Sequence, residues 1–292
     1  MKNLASLFVI GGLVLTGCNK QAPQEEPEFD RQVTINFNVK PSSSALKSAG
    51  TTEEDAIDEI TIYGVNVSGN VISTFPNVAI SSTGQATLTL TSSVVSLYAI
   101  ANSKTDMASQ PKTTVAELEA MTCDYTNAPE SPFVMSGNDK GTLERFTNTA
   151  SIEMIRSIAK IVVSGGSGGY VVDKIQVNNP RDEGFVFSQS SFGIPSTSFT
   201  LTSYPEIASS ICYVPENTTA SPTTLTVNGK YNGTAIAPLT VHFTQGGGTP
   251  IPIERNKCYT VNIKPIGDDF DITITIKEWD DVTVDDVTFV EP

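Results

Sequence analysis

The chain has 292 residues, with 32 acidic and 18 basic side chains, a formal net charge of −14 and a pI near 4.4. A surface of that sign repels phosphate backbones, which excludes nucleic acid as a partner. Thr, Ser, Val and Ile dominate and strong helix formers are scarce, so the composition favours an all-β protein, and the length suits two domains of ordinary size.

The chain opens with Lys2 and an apolar run from Leu4 to Leu15, too short to cross a bilayer as a stable helix. The run ends in Leu15-Thr16-Gly17-Cys18. A small residue before a cysteine in this position resembles a bacterial lipobox. Residues 1–17 are then a signal peptide and Cys18 the acylated, palmitate-bearing first residue of an exported protein. The alternative is an ordinary signal peptide with an incidental cysteine. The polar, proline-bearing "NKQAPQEEPEFD" that follows reads as a disordered tether.

"RQVTINFNVKPSSSALKSAG" (Arg31–Gly50) begins as a strand in which Val33, Ile35, Phe37 and Val39 alternate with polar residues. Such alternation marks a half-buried β-strand. It runs into a Ser-rich loop carrying one bare lysine, Lys47, followed by Ser48. Further short alternating runs are Glu59–Val67, Ala86–Leu90, Ser96–Ala101, Ile158–Val163, Lys174–Val177, Ser198–Leu201, Thr224–Val227, Leu239–Phe243, Tyr259–Ile263 and Ile272–Ile276. Their density predicts β-sandwiches. One helix is predicted over Thr113–Met121, capped by Thr113 or Thr114 with Glu117 near the capping-box position.

"VTINFNV…AIDEITIYGVN" and "RSIAKIVVSGGSGGYVVDKIQVNN" share a plan of strand, loop, acidic residue and second strand. Each reads as the opening strand pair of a sandwich, which places a domain boundary near Thr147. The expected organisation is a tether and first strand over 18–47, an N-terminal sandwich over 48–147, a C-terminal sandwich over 148–279 and a tail over 280–292.

Catalytic chemistry is missing from the motifs. The single histidine, His242, sits in an alternating run and reads as a strand-face residue. No nucleophile elbow, HExxH, P-loop or dinucleotide glycine pattern occurs, so no enzyme is expected. Cys123, Cys212 and Cys258 match no metal-ligand spacing and read as buried small hydrophobes, with one disulfide left open. "SGGSGG" (Ser164–Gly169) and "QGGGTP" (Gln245–Pro250) read as hairpin loops. The acidic clusters Gly267–Asp271 and Glu278–Asp281 lack a spaced calcium motif and read as solvated strand ends. No metal or other cofactor is expected.

Several segments, in order, resemble the fimbrillin family, the lipoprotein precursors of type V pilus major subunits. They are the lipobox cysteine with the strand and basic loop after it, "SLYAIANSK" (Ser96–Lys104), "MIRSIAKIVV" (Met154–Val163), "CYVPEN" (Cys212–Asn217), "IERNKCYTVNI" (Ile253–Ile263) and "KEW" (Lys277–Trp279). One feature departs from the family: its cut commonly follows arginine, and here the loop offers Lys47. The resemblance implies two tandem transthyretin-like antiparallel β-sandwich domains with at most one or two short helices. It implies a precursor held on the outer membrane by its lipid and a trypsin-like protease that cuts between Lys47 and Ser48. The strand of Val33, Ile35, Phe37 and Val39 would then leave and be replaced by a strand from another copy of the chain or a related pilin, in a cell-surface fimbrium that supports adhesion.

The replacement strand is expected in the tail, where Val282 and Val284, then Val287 and Phe289, alternate around a phase break at Asp285-Asp286. The alternative is that the tail is the last strand of its own sheet. Trp279 is expected to pack on the C-terminal sandwich and fix where the tail departs; the alternative is a core or edge tryptophan with no such role. The different-class alternative is a glycan-binding surface lipoprotein, and within the same pilus an anchor or tip subunit.

Overall fold

The computed structural model of the chain describes residues 27–39, 53–103, 111–165, 168–189, 201–245 and 248–279. Two β-sandwiches follow one another. In the first, β1 (Asp30–Val39), β2 (Ile60–Val65), β3 (Val71–Phe75), β4 (Gln85–Thr91), β5 (Ser96–Ala101), β7 (Met135–Asn138) and β8 (Thr149–Arg156) form one strongly bent sheet, ordered β3-β2-β5-β7-β8-β1-β4. The bend falls where β7 and β8 share only the pairs Met135↔Arg156 and Ser136↔Ile155. Gly137 allows the close approach: a Cβ there would lie 2.2 Å from the Glu153 carbonyl oxygen.

The leaf β4-β1-β8 and the leaf β3-β2-β5-β7 thus face each other across one core that includes Ile35, Ile62, Leu97 and Ile152. All six residues of β2 are buried. Their other face is covered by α1 (Val115–Glu119) and by Val186 and Phe187, which pack with Tyr63, Val65 and Leu118. The helix is capped as expected by Thr114, whose hydroxyl accepts from the Glu117 amide at 3.3 Å. The Glu117 carboxylate in turn accepts from the Thr113 amide at 2.7 Å, which holds this exposed acid below its ordinary pKa.

The second sandwich has one leaf of β9 (Ile158–Ser164), β12 (Ile211–Pro215), β18 (Lys257–Ile266) and β19 (Asp269–Glu278), ordered β12-β9-β18-β19. The other leaf is β10 (Tyr170–Asn178), β13 (Thr224–Tyr231), β14 (Thr234–Ala235) and β15 (Leu239–His242), with β13 paired to the other three. A small ladder of β6 (Thr122–Asp124) with β11 (Glu183–Phe185) joins a segment after α1 to the second sandwich, and β16 (Thr244–Gln245) pairs with β17 (Thr249–Pro250). Pairing is antiparallel apart from one parallel pair in each sandwich, β1 with β8 and β9 with β18.

Two sequence expectations are corrected. The chain passes between sandwiches at Ser157, not near Thr147, because β8 completes the leaf around β1 and only β9 enters the second sheet. Ser164–Gly169 does not close a hairpin, since β9 and β10 belong to opposite leaves. Gly165 makes that crossing possible, as a Cβ there would overlap the Tyr170 carbonyl oxygen. Leu201 lies outside any strand, and residues 198–200 lie outside the described residues. By contrast, Gln245–Pro250 does join the paired β16 and β17.

Candidate functional site

β1 buries one face only. Val33, Ile35 and Phe37 are in the core and Val39 is half-buried against it, while Thr34, Asn36 and Asn38 point outward. The alternation in the sequence produces this directly, because successive side chains of a strand leave on opposite sides. β1 is an inner strand: it pairs antiparallel with β4 from Asp30↔Thr91 to Asn36↔Gln85, and parallel with β8 from Thr34↔Thr149 to Val39↔Met154. Its outer polar side chains tie it to both neighbours. Asn36 donates to the Ala150 carbonyl at 3.2 Å and accepts from Gln85 Nε2 at 2.8 Å, and Asn38 donates to Ser151 Oγ at 3.2 Å.

A second group of contacts holds the start of the strand. Arg31 donates through one nitrogen to the Glu144 carbonyl and through the other to the Val94 carbonyl at 2.8 Å. Phe29 stacks on Phe146 with ring centroids 5.6 Å apart, and the Arg145 guanidinium lies 5.3 Å from the Phe29 ring centroid. Arg145 also donates to the Pro27 carbonyl at 2.6 Å. Val94 offers only its carbonyl here while its side chain is buried in the core, and the other partners lie outside the core. They come from the loops after β4 and before β8.

Where β8 ends, the sandwiches are locked together around the turn Glu53–Asp55. Glu54 accepts from Lys160 Nζ at 2.7 Å, from the Tyr213 hydroxyl at 2.6 Å and from Trp279 Nε1 at 3.0 Å. Burial pushes this carboxyl up, but those three donors and the Lys160 charge outweigh it and hold it below the ordinary carboxylate value. Arg156, fully buried at the end of β8, donates to the Glu54 carbonyl at 3.1 Å, to Asn256 Oδ1 at 2.9 Å and to Asp55. Its guanidinium lies 4.7 Å from the Trp279 ring centroid.

Trp279 is therefore not a residue of the C-terminal sandwich alone, as expected, but a junction residue. It stacks on Tyr213 at 5.8 Å and meets Phe133 of the first sandwich edge-on at 5.9 Å. The complementary signs of Glu53-Glu54-Asp55 and of Arg156 and Lys160, set in otherwise apolar sequence, were the available signal for this junction.

The remaining expected site residues lie outside the described residues: Cys18, Lys47 and Ser48, and Val282, Val284, Val287 and Phe289 of the tail. Cys123, Cys212 and Cys258 are all free thiols; Cys212 and Cys258 are buried and Cys123 half-buried. Burial pushes the Cys123 thiol up to about 11 and Cys212 up to about 12, so neither is a nucleophile near neutral pH. His242 is exposed on β15. No group of acidic, histidine or cysteine side chains that could hold a metal ion occurs among the described residues, and no helix among them is long and apolar enough to cross a membrane.

With a central strand held mainly by one apolar face, the fold can be set beside known proteins. A family model described as major fimbrial subunit protein (FimA) matches residues 32–178, just over half of the chain and starting within β1. The chain belongs to this family. Its members are structural subunits of cell-surface fimbriae and not enzymes. Comparison with curated proteins gave no match.

Solved structures that share the fold include the following three. A candidate cell adhesion protein of Parabacteroides distasonis ATCC 8503 is 15% identical with a TM-score of 0.58, covering 84% of this chain and 95% of its own. The tip fimbrial protein Mfa3 of Porphyromonas gingivalis, with a C-terminal truncation, is 15% identical with a TM-score of 0.56, covering 87% and 100%. A fimbrial assembly protein of Parabacteroides distasonis ATCC 8503 is 14% identical with a TM-score of 0.56, covering 86% and 100%.

Proposed function

We propose that this fimbrial subunit is exported as a lipoprotein acylated on Cys18, cut between Lys47 and Ser48, and polymerised by strand exchange in which β1 is the strand that leaves. The observation that carries the reading is the position of β1. It is an inner strand whose core contribution is a single row of side chains, Val33, Ile35 and Phe37. Each of these is worth about 1.5–3 kcal/mol when buried, so the row matters on the scale of a whole domain's net stability.

Hydrolysis of a peptide bond by a trypsin-like protease in the segment between β1 and Glu53 would free β1 while leaving every other strand covalently connected. The departing strand would open an apolar slot between β4 and β8, about two strand spacings or 9–10 Å wide, with unpaired backbone groups on both walls. An extended apolar segment from a second copy answers that need by β-augmentation. The tail supplies one in sequence, with Val282 and Val284 in one phase and Val287 and Phe289 in the other, so that the two pairs occupy different stretches of the slot or opposite faces.

Arg31 is a poor rival for the cut. It sits inside the β1–β4 ladder, opposite Leu90, with its guanidinium engaged. A protease needs its substrate extended and accessible, so cleavage there would require β1 to unfold first.

The test joins processing to assembly. N-terminal sequencing of surface polymer is expected to begin Ser48-Ala49-Gly50. Deleting Asp281–Pro292 is expected to give a folded, cleaved monomer that forms no fibres by electron microscopy. Long fibres from the truncated chain, or polymer that retains Cys18 at its start, would overturn the reading.

A further inference from the structure

The contacts around Phe29 and Arg31 form a unit that the groove does not need. They lie beyond the apolar row, and their partners are two loops, Ser92–Val94 and Glu144–Phe146. The Arg31 guanidinium bridges the Glu144 and Val94 carbonyls, which belong to different loops. A planar fork of this kind is specific to arginine, because the ammonium of lysine cannot reach two separated acceptors with fixed directions. Two residues earlier, Phe29 lies against Phe146 at 5.6 Å with its ring nearly parallel, and Arg145 covers the pair. The backbone joins in: the Phe29 amide donates to Ser92 Oγ at 3.2 Å and the Ser92 amide to the Phe29 carbonyl at 2.8 Å.

Phe146 is 80% exposed, so this aromatic contact does not serve the core. The tail cannot reproduce the set. It has no Lys or Arg after Lys277, and an acidic side chain placed where Arg31 lies would face two carbonyl oxygens.

We propose that this clasp is a second peptide-binding site, distinct from the groove, that takes an aromatic-x-arginine segment and keeps the cleaved leader bound until a donor strand displaces it. The inference rests on the reading of β1 as a removable strand. Cleavage alone would then leave the groove filled, and the open groove, with its exposed backbone edges, would exist only during exchange. The clasp also separates the two occupants of the groove: the leader engages it and the donor does not, so the loops 92–94 and 144–146 are vacated in the assembled state.

The test uses the full chain in detergent with Ser42–Ala49 replaced by the recognition sequence of a site-specific protease, so that it does not depend on where the natural protease cuts. After cleavage, the leader fragment is followed by size-exclusion chromatography and mass spectrometry. The fragment is expected to elute with the body of the protein. In Phe29→Ala/Arg31→Ala it is expected to leave at least tenfold faster, in Arg31→Lys at an intermediate rate, and in Asp30→Ala, where the side chain is exposed, at the unsubstituted rate. Immediate loss of the unsubstituted leader, or equal release from the double variant, overturns the clasp. Fibres built from uncut chains would overturn the removable-strand reading instead, and they are recognisable because leader and body remain one polypeptide.

Discussion

The two sandwiches place their opening strands in the same slot. β1 lies between β4, antiparallel, and β8, parallel; β9 lies between β12, antiparallel, and β18, parallel. Their surroundings differ. β1 buries alternate residues only, whereas β9 buries Ile158, Ala159, Ile161, Val162 and Val163 and so contributes on both faces. β9 also continues from β8 through the single residue Ser157, between two cations held by Asp55 and Glu54. On the proposed function, a slot in a sandwich would be exchangeable or permanent according to how its occupant is attached and how many faces it serves. Topology alone does not decide the matter.

The sharpest way to break this comparison is to put a carboxylate at matching places. Ile35→Asp and Ile161→Asp each bury an unpaired charge at a fully buried position, and each is expected to cost the unprocessed chain about 3–5 kcal/mol. After processing and assembly only Ile161→Asp should still weaken the subunit, because Ile35 has left with the leader. Denaturant titration of precursor and of isolated polymer measures both. Equal weakening of the polymer by the two variants would mean that the slots are equivalent.

Trp279→Ala should be of comparable size. It removes the stack on Tyr213, the edge contact with Phe133 and the surface under Arg156, at about 3–5 kcal/mol. Because the ring touches both sandwiches, calorimetry is expected to resolve two unfolding transitions where the unsubstituted chain gives one.

The smallest effect, and the most informative about the junction, is the pH dependence of Glu54→Gln. The Glu54 carboxyl is held below its ordinary value of 4.5 in the folded state, so its contribution is complete above that value and is lost as pH falls through the lower, folded pKa. The variant should be less stable by about 1–3 kcal/mol near neutral pH. The gap should narrow below pH 4.5. A gap constant down to strongly acid solution would show that the charge of Glu54 contributes nothing.

How far the sequence reveals this can be judged from particular strands. β1 was legible because a one-faced strand writes its geometry as a period of two, and β5 was legible to the residue, Ser96–Ala101. β8 was not placed, because the turn residues around Thr147 imitate a domain boundary. The real crossing is hidden in the apolar run "MIRSIAKIVV", where Arg156 is fully buried against acids more than a hundred positions away. Sequence spacing carries no signal for a pairing at that separation. The same holds for Trp279 and Glu54, 225 positions apart, and for the clasp, whose partners lie 63 to 118 residues from the leader. What alternation reveals is which face a strand buries. It does not reveal which loops grip its ends.

The placing of Trp279 has a mechanical consequence. In a fibre whose subunits are joined through the tail, tension would enter each subunit at the residue that follows β19. Were Trp279 part of the second sandwich alone, the pull would fall first on the ladder between β18 and β19. Its indole is instead tied to Glu54 and packed on Phe133 and Tyr213, so the load divides at once between both sandwiches. The ten paired positions from Lys257↔Glu278 to Ile266↔Asp269 would then be strained together with the Arg156 and Lys160 ion pairs rather than peeled one by one from Glu278. In such a fibre a single ring at the root of the tail would convert a joint that unzips into one that must shear.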